Sequence, residues 1–509
     1  MRTGRRVWSG ARGPVLVRLV ALLGAAACVD EKVVYRDRAQ FDDPPSAAAS
    51  FVGYNQLASR RTVCGACHIT QQTLWLGTKH ANAFRTLDTL PAAQKQDFCY
   101  TCHTVSQNGS GLTVATAGWT ATKDARYHDV QCESCHGPGL THVSNPTLQN
   151  IPLASIKTDT TGTAGCGSCH SGVHHPFVAE WKVSAHGSVP HWGTAASSPN
   201  NNTACQSCHT GQGKLAAMGV EARTNYQEKG FKGGPVPITC AVCHDPHATT
   251  VGSQLRMAID VPDETRNLCM SCHMRRGAPE VGVVGARNSP HSPEGPLLLG
   301  TAGWWPPALS VPGGLERIQG THGSEKNPRL CAGCHVNSYT VTDSITKQQI
   351  GVTGHRFLAI PCVDARGVPT RAQTCTALTQ RSFRSCTTSG CHGSETAARS
   401  AFAVAEQRLE ELAAQITAML TRVPATEINA NDTRYTTAEG AQFNAALALR
   451  EGTAAHNPFL AEALLTASIT QLRREYNLPV STRLDLRNTM LDGAGAHAAA
   501  AVVPSATRR

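Results

Sequence analysis

Residues 132–136 read Cys132-Glu133-Ser134-Cys135-His136, and this C-x-x-C-H spacing occurs eight times between residues 64 and 335. We number the copies motif 1 to motif 8 in chain order. Their cysteines and histidines are Cys64, Cys67 and His68; Cys99, Cys102 and His103; Cys132, Cys135 and His136; Cys166, Cys169 and His170; Cys205, Cys208 and His209; Cys240, Cys243 and His244; Cys269, Cys272 and His273; and Cys331, Cys334 and His335. Zinc and redox sites also use C-x-x-C, but eight copies that are each followed by histidine predict haem c, bound through two thioethers and a histidine on the iron.

A wider variant, motif 9, ends the series with Cys386, Cys391 and His392. It keeps the Cys-His end and predicts a ninth haem, so we expect nine haems and at least eight. In the alternative, Cys386 and Cys391 form two disulfides with Cys362 and Cys375. If motif 9 binds haem, Cys362 and Cys375 remain as a possible single disulfide.

The second axial ligand of each iron decides between electron transfer and catalysis. Thirteen of the 22 histidines lie outside the motifs, and eleven of these fall within residues 68–360. We therefore predict mostly bis-histidine, low-spin iron at low potential. The expected distal ligands are His80, His128, His142, His175, His186, His247, His291, His322 and His355. His174 and His191 are in reserve. His456, at a helix start, could also reach a haem, but a structural role is the favoured interpretation.

The start of the chain predicts export. Several arginines precede a short apolar segment, so residues 1–27 are expected to be a signal peptide, too short to span a bilayer permanently. Cys28 follows three alanines and allows two alternatives. We favour acylation, with residues 28–58 as a lipoprotein tether on the membrane; ordinary cleavage would leave a stray thiol. The protein is therefore expected in the periplasm, at the outer membrane or outside the cell.

The formal charge of +10 does not indicate a nucleic-acid-binding protein. Five of the positive charges lie in the predicted signal peptide, and the propionates of nine haems would make the loaded protein acidic. No recognition motif or aromatic-interleaved basic stripe is present. Methionine is the alternative axial ligand, and we interpret those of the haem region as packing residues: Met218, Met257, Met270 and Met274.

The chain divides into a haem region and a helical region. Residues 59–393 carry the motifs, with few aromatic residues, many glycines and prolines, and two similar units at about 64–142 and 166–247. Trp75-x-x-Thr-x-His80 in one unit matches Trp181-x-x-Ser-x-His186 in the other. Residues 394–478 have apolar periodicity typical of a helical hairpin or bundle, and 479–509 are expected to be a flexible tail. The predicted fold is mainly α with extensive loops.

The chain resembles the multihaem cytochrome c superfamily, which includes tetrahaem cytochromes, octahaem hydroxylamine and tetrathionate enzymes, and pentahaem nitrite reductases. The resemblance rests on four segments: Trp75 to His80, residues 132–139, residues 240–247, and His456-Asn457-Pro458-Phe459-Leu460. The lipoprotein start and haem count look more like outer-membrane or periplasmic cytochromes of metal-respiring bacteria. In that group stacked haems carry electrons across the envelope, and some members form filaments.

These observations favour an electron-transfer protein of envelope or extracellular respiration over two alternatives. One alternative is a periplasmic reductase or oxidoreductase of a nitrogen or sulfur oxyanion; the other is a subunit of an extracellular cytochrome filament, a homopolymer. Expected partners are other redox proteins, such as cytochromes and quinol-linked donors, or an extracellular acceptor. In catalytic relatives Tyr, His and Arg line an open haem face. Arg126-Tyr127-His128 supplies these residue types, but we assign no catalytic residue.

Overall fold

The structure, a computed structural model, describes residues 43–479 apart from 115, 157, 159–162, 173–174, 189–201, 221–226, 248–249, 283–288, 308–316, 371–374 and 389. The predicted signal peptide, Cys28, most of the tether, His174, His191 and the tail from residue 480 lie outside the described residues.

Short helices joined by long loops form the region that carries the motifs. They are α1 (Ile69–Leu76), α2 (Ala83–Asp88), α3 (Asp97–His103), α4 (Trp119–Thr122), α5 (Cys132–His136), α6 (Leu140–Ser144), α7 (Phe177–Lys182), α8 (Thr203–His209), α9 (Gly211–Ala217), α10 (Cys240–Cys243), α11 (Glu294–Leu299), α12 (Cys331–His335) and α13 (Arg384–Thr388). Even α1 has only eight residues. Frequent glycine and proline explain why the helices stop early.

The described residues contain two small antiparallel sheets. Strands β1 (Tyr54–Gln56) and β2 (Arg61–Thr62) form one, and β3 (Tyr339–Thr342) and β4 (Gln349–Val352) form the other. The second is a regular hairpin in which Tyr339 lies opposite Val352. The chain is therefore mainly helix and loop, as the sequence predicted.

Longer helices follow the motifs. They are α14 (Glu395–Leu420), α15 (Thr437–Ala448), α16 (Thr453–His456) and α17 (Pro458–Tyr476). Ser394 caps α14, and Asn457 caps α17 ahead of Pro458. Thr436 and Glu439 exchange hydrogen bonds at the start of α15, each backbone N–H donating to the other side chain at 2.9 and 3.2 Å. These caps satisfy amide groups that would otherwise lack partners at the helix ends.

The largest apolar cluster lies in this C-terminal region. Helices α14, α15 and α17 pack against one another through a cluster that includes Leu409, Leu412, Ile416, Leu465 and Leu472. Around the motifs the buried apolar clusters are small, as in the group formed by Tyr54, Trp75 and Ala81. The buried apolar side chains of the motif region are thus divided among small clusters, which suits a region that folds around bound groups.

Two further features bear on the termini and cysteines. Among the described helices, none is both long and apolar enough to cross a bilayer. Cys362 and Cys375 form a disulfide, the single bridge that the sequence left open.

Candidate haem sites

Motifs 1 to 8 each lie on a short helix or a hydrogen-bonded turn that places two thiols and an imidazole together. In motif 1 the His68 N–H donates to the Cys64 carbonyl at 2.9 Å, and in motif 6 the His244 N–H donates to Cys240 at 2.8 Å. A C-x-x-C spacing on such a turn brings both side chains to the same face. The sixteen cysteines of motifs 1 to 8 are thiols rather than disulfides, so they are available for thioether bonds.

Seven motif histidines each face a second histidine at nearly constant separation. The ring centroids lie 6.0–6.4 Å apart. The pairs are His136 with His247, His170 with His80, His209 with His291, His244 with His355, His273 with His186, His335 with His456, and His392 with His322.

This separation fits one metal ion between two imidazoles. A ring nitrogen binds a transition metal at about 2 Å and lies roughly 1 Å from its ring centre, so two such ligands on opposite sides give about 6 Å between centres. Zinc would need further ligands. Among the described residues no group of three or more His, Cys, Asp or Glu is placed to hold a metal ion. The paired rings therefore fit an iron whose other four ligands come from a porphyrin.

Hydrogen bonds hold the motif imidazoles in the form that binds metal. The Nδ1–H groups of His103, His136, His244 and His335 donate to main-chain carbonyls at 2.6–2.9 Å. A carbonyl can only accept, so the proton is on Nδ1 and the Nε2 lone pair is left for a metal. In motif 7 the Nδ1 of His273 lies 3.2 Å from a Glu294 carboxylate oxygen, the carboxylate–histidine arrangement common behind metal ligands.

Burial keeps several of these rings uncharged. Desolvation lowers the pKa of His170, His186 and His456 to about 4. Neutral imidazole is the metal-binding form, because protonation removes the lone pair. These three rings are therefore ready to bind iron at neutral pH without first losing a proton.

The structure places the nine expected distal histidines differently. Six of them face a motif histidine: His80, His186, His247, His291, His322 and His355. His175 lies 6.1 Å from His170, whose ring already faces His80. His128 stacks on Phe84 at 3.6 Å, and His142 lies 3.3 Å from the side-chain oxygen of Asn150.

Sequence reasoning missed one facing histidine. His456 ends α16, where a structural role was expected, and the structure instead sets its ring 6.1 Å from His335 of motif 8. The signal was the segment from His456 to Leu460, which carried part of the superfamily resemblance. In the described part of the chain no second imidazole faces His68 or His103 in this way.

The side chains of Arg126, Tyr127 and His128 contact separate partners. Tyr127 is fully buried, and its hydroxyl donates to the Phe51 carbonyl at 3.0 Å. Arg126 lies 3.4 Å from Asp124, and His128 stacks on Phe84. The three side chains are thus engaged with different partners.

The two similar sequence units repeat the same contacts. The Trp75 indole N–H donates to the Val130 carbonyl at 2.9 Å, and that of Trp181 to Ile238 at 2.8 Å. Each acceptor lies two residues before a motif. Facing histidines repeat as well: His80 faces motif 4 and His186 faces motif 7, three motifs later. The units therefore share local geometry and their placement relative to the motifs.

Cysteine thiols of different motifs interact, and these interactions show which motifs are neighbours in space. Hydrogen-bonding contacts join Cys64 to Cys132, Cys102 to Cys169, Cys166 to Cys240, Cys208 to Cys272, and Cys269 to Cys331. Electrostatic interactions between thiols also link motif 3 with motif 4, motif 6 with motif 7, and motif 8 with motif 9. The motifs thus adjoin in the series 1, 3, 4, 6, 7, 8, 9. Motifs 2 and 5 are not part of this series. Motif 2 adjoins motif 4, and motif 5 adjoins motif 7.

Repeated thiol pairs with facing imidazoles define a class of protein, the multihaem c-type cytochromes. The cofactor is haem c: the paired motif cysteines would bind each porphyrin covalently, and the histidines would bind the iron.

Comparison with known proteins agrees with this class. The family profile "Cytochrome c554 and c-prime" matches residues 63–137, and "Cytochrome c3" matches residues 184–274. Over 198 residues the chain is 25% identical to "Multiheme cytochrome MtrA" of Shewanella baltica (strain OS185), covering 36% of this chain and 54% of that protein. The chain thus spans about half the length of that curated relative.

The fold is similar to that of a solved cytochrome. The crystal structure of the outer cell wall cytochrome OcwA matches with a TM-score of 0.50 and 18% identity, over 83% of this chain and 100% of that one. The profile matches and the sequence relative agree with the motifs, and they support a multihaem cytochrome c superfamily for this chain.

Proposed function

We propose that the protein transfers electrons through nine c-type haems, most of them held by histidine on both faces. The observation that carries this proposal is the set of seven facing histidine pairs at 6.0–6.4 Å. Haem c supplies a reversible one-electron couple between ferric and ferrous iron. Imidazoles on both faces leave no coordination position for a substrate, which favours electron transfer over chemistry on a bound molecule.

The protein residues set the properties of this function. Two rigid imidazoles hold the same coordination in both oxidation states, and bis-histidine ligation gives lower potentials than a methionine ligand. Main-chain carbonyls that accept from Nδ1–H strengthen the ligand and fix its orientation. The contacts between motifs bring successive attachment sites together, so that a charge can pass along the chain of motifs.

We also propose that the protein is exported and works in envelope or extracellular respiration. Its predicted signal peptide and the extracytoplasmic chemistry of haem attachment support this location. One similar protein is named an outer cell wall cytochrome, which fits the same location. Acylation of Cys28 would hold the protein at a membrane. Its partners would be other redox proteins or an acceptor outside the cell.

Two measurements on the purified, matured protein test this function. Intact mass is expected to show nine covalent haems and an acyl chain on the first residue, Cys28. A potentiometric titration is expected to show all haems reducing reversibly over a low potential range. Rapid turnover of nitrite, hydroxylamine or tetrathionate at one site would instead support an enzyme and contradict the proposal.

A further inference from the structure

Two lysines approach the attachment motifs from unrelated positions in the sequence. Lys214 lies on α9, immediately after motif 5, and is only 6% exposed. Lys229 lies in the loop before motif 6 and is half-buried. Long cationic side chains usually keep their ammonium groups in water. Their burial beside the motifs therefore needs a reason.

Lys214 reaches the point where motifs 5, 6 and 7 meet. Its Nζ donates to the Ser271 hydroxyl at 2.7 Å, inside motif 7. It also acts electrostatically on the thiols of Cys208, Cys243 and Cys272, one from each motif. This is also where motif 5 adjoins motif 7, which belongs to the series 1, 3, 4, 6, 7, 8, 9.

Lys229 reaches the corresponding point three motifs earlier, where motifs 2, 3 and 4 meet. Its Nζ donates to the His136 carbonyl of motif 3 at 3.0 Å and to the Ser110 carbonyl, after motif 2, at 2.8 Å. The residue before Ser110 contacts the start of motif 4: the N–H of Gly165, which directly precedes Cys166, donates to the Gly109 carbonyl at 3.0 Å. Glycine at 137 leaves room, because a Cβ there would lie 2.7 Å from Nζ.

The two positions are equivalent under the repeat. A shift of three motifs relates the two units and takes motifs 2, 3 and 4 to motifs 5, 6 and 7. Lys214 follows one motif and Lys229 precedes another, so a simple duplication does not explain why both reach the same kind of junction. Both ammonium groups donate to neutral oxygens rather than to a carboxylate.

A fixed positive charge in a poorly solvated place favours the less positive state of a nearby iron. Ferrous haem carries one positive charge fewer than ferric haem, so a buried ammonium raises the reduction potential. An exposed lysine has much less effect because water and salt screen it.

We propose that Lys214 and Lys229 are tuning residues that raise the reduction potentials of the haems at these two junctions, so that electrons reside there preferentially. This inference rests on the proposed function, because it requires haem in the adjoining motifs. It adds a role for two residues that do not bind the cofactor.

Spectroelectrochemical titration of the matured wild type and of the variants K214M, K229M and K214R tests the proposal. Methionine removes the charge and keeps much of the side-chain length, whereas arginine retains the charge. K347M is the matched control, because Lys347 is exposed and its Nζ also donates to a serine carbonyl, that of Ser344 at 2.7 Å. Haem count and low-spin EPR signals are measured for each protein.

K214M and K229M are each expected to move roughly a third of the titration amplitude to lower potential, since each charge lies beside three of nine motifs. K214R and K347M are expected to follow the wild-type curve. If K214M loses haem, K214Q and the less buried K229M make the same test. Wild-type titration curves for K214M or K214Q and for K229M, with haem count and ligation intact, would overturn the inference. That result would leave the proposed function standing, because that function is tested separately on the wild type by its low-spin haem content and by its turnover of nitrite, hydroxylamine or tetrathionate.

Discussion

The imidazole of His456, at the end of α16, lies 6.1 Å from that of His335 in motif 8. The C-terminal helices therefore carry an imidazole that faces motif 8. Asn457, the next residue, caps α17, and its side-chain amide donates to the carbonyls of Leu297 and Ile318 at 3.0 and 2.7 Å. These bonds fix the chain on which His456 is carried.

Replacing His456 by alanine should remove one axial ligand. We expect H456A to convert one haem from low-spin to high-spin, and carbon monoxide to bind at that iron, measured by EPR and by the shift of the Soret band. H142A is the control, since the structure places His142 beside Asn150 rather than opposite a motif histidine. Equal high-spin signals in both variants would contradict the assignment of His456.

The motif histidines were predictable from the sequence, whereas the pairing of the facing histidines was not. The motif histidines could be read from local spacing, because attachment chemistry fixes Cys, Cys and His within five residues. The facing histidines come from distant segments, so their pairing depends on tertiary packing. His128 and His142 looked suitable because they lie close to motif 3 in sequence, yet the structure engages them with Phe84 and Asn150. His456 looked structural because it stands beside a helix cap.

Motif 9 should attach haem despite its wider spacing. Its histidine, His392, faces His322 with ring centroids 6.2 Å apart, and Cys362 is bonded to Cys375 rather than to a motif cysteine. We expect C386S/C391S to lower the intact mass by one haem. The control C362S/C375S should retain all haems. An unchanged mass in C386S/C391S would show that motif 9 binds no haem covalently.

Glu180 should matter for stability because it holds the loop that carries His355. Its buried carboxylate accepts from the Thr353 N–H at 2.9 Å, the Thr353 hydroxyl at 2.6 Å and the His355 N–H at 2.8 Å. E180A leaves three donors without this acceptor and should lower the free energy of unfolding by about 1–3 kcal/mol or more. Thermal unfolding of the matured protein measures this. The exposed E451A should unfold like the wild type, and equal unfolding of E180A would refute the role.

Glu133 should make stability depend on pH. Burial raises the pKa of this carboxyl to about 7, although the N–H groups of Val52, Gly53 and Gly139 donate to it. A carboxyl whose pKa is raised in the folded state binds its proton more tightly there. Its stabilising contribution is therefore present below about pH 4.5 and is lost as pH rises through about 7.

The comparison of wild type with E133Q isolates this effect. Glutamine cannot ionise, so the difference in unfolding free energy should shift in favour of E133Q by up to about 3 kcal/mol between pH 4.5 and 7. Denaturant unfolding at several pH values measures the difference. A constant difference across this range would mean that Glu133 does not change its protonation there.

Low-temperature EPR of the fully oxidised protein, integrated against the number of haems, tests the central claim most directly. Seven facing histidine pairs predict that at least seven haems give low-spin ferric signals. A spectrum in which high-spin ferric signals account for more than two of nine haems would contradict axial histidine on both faces, and with it the proposed electron-transfer function.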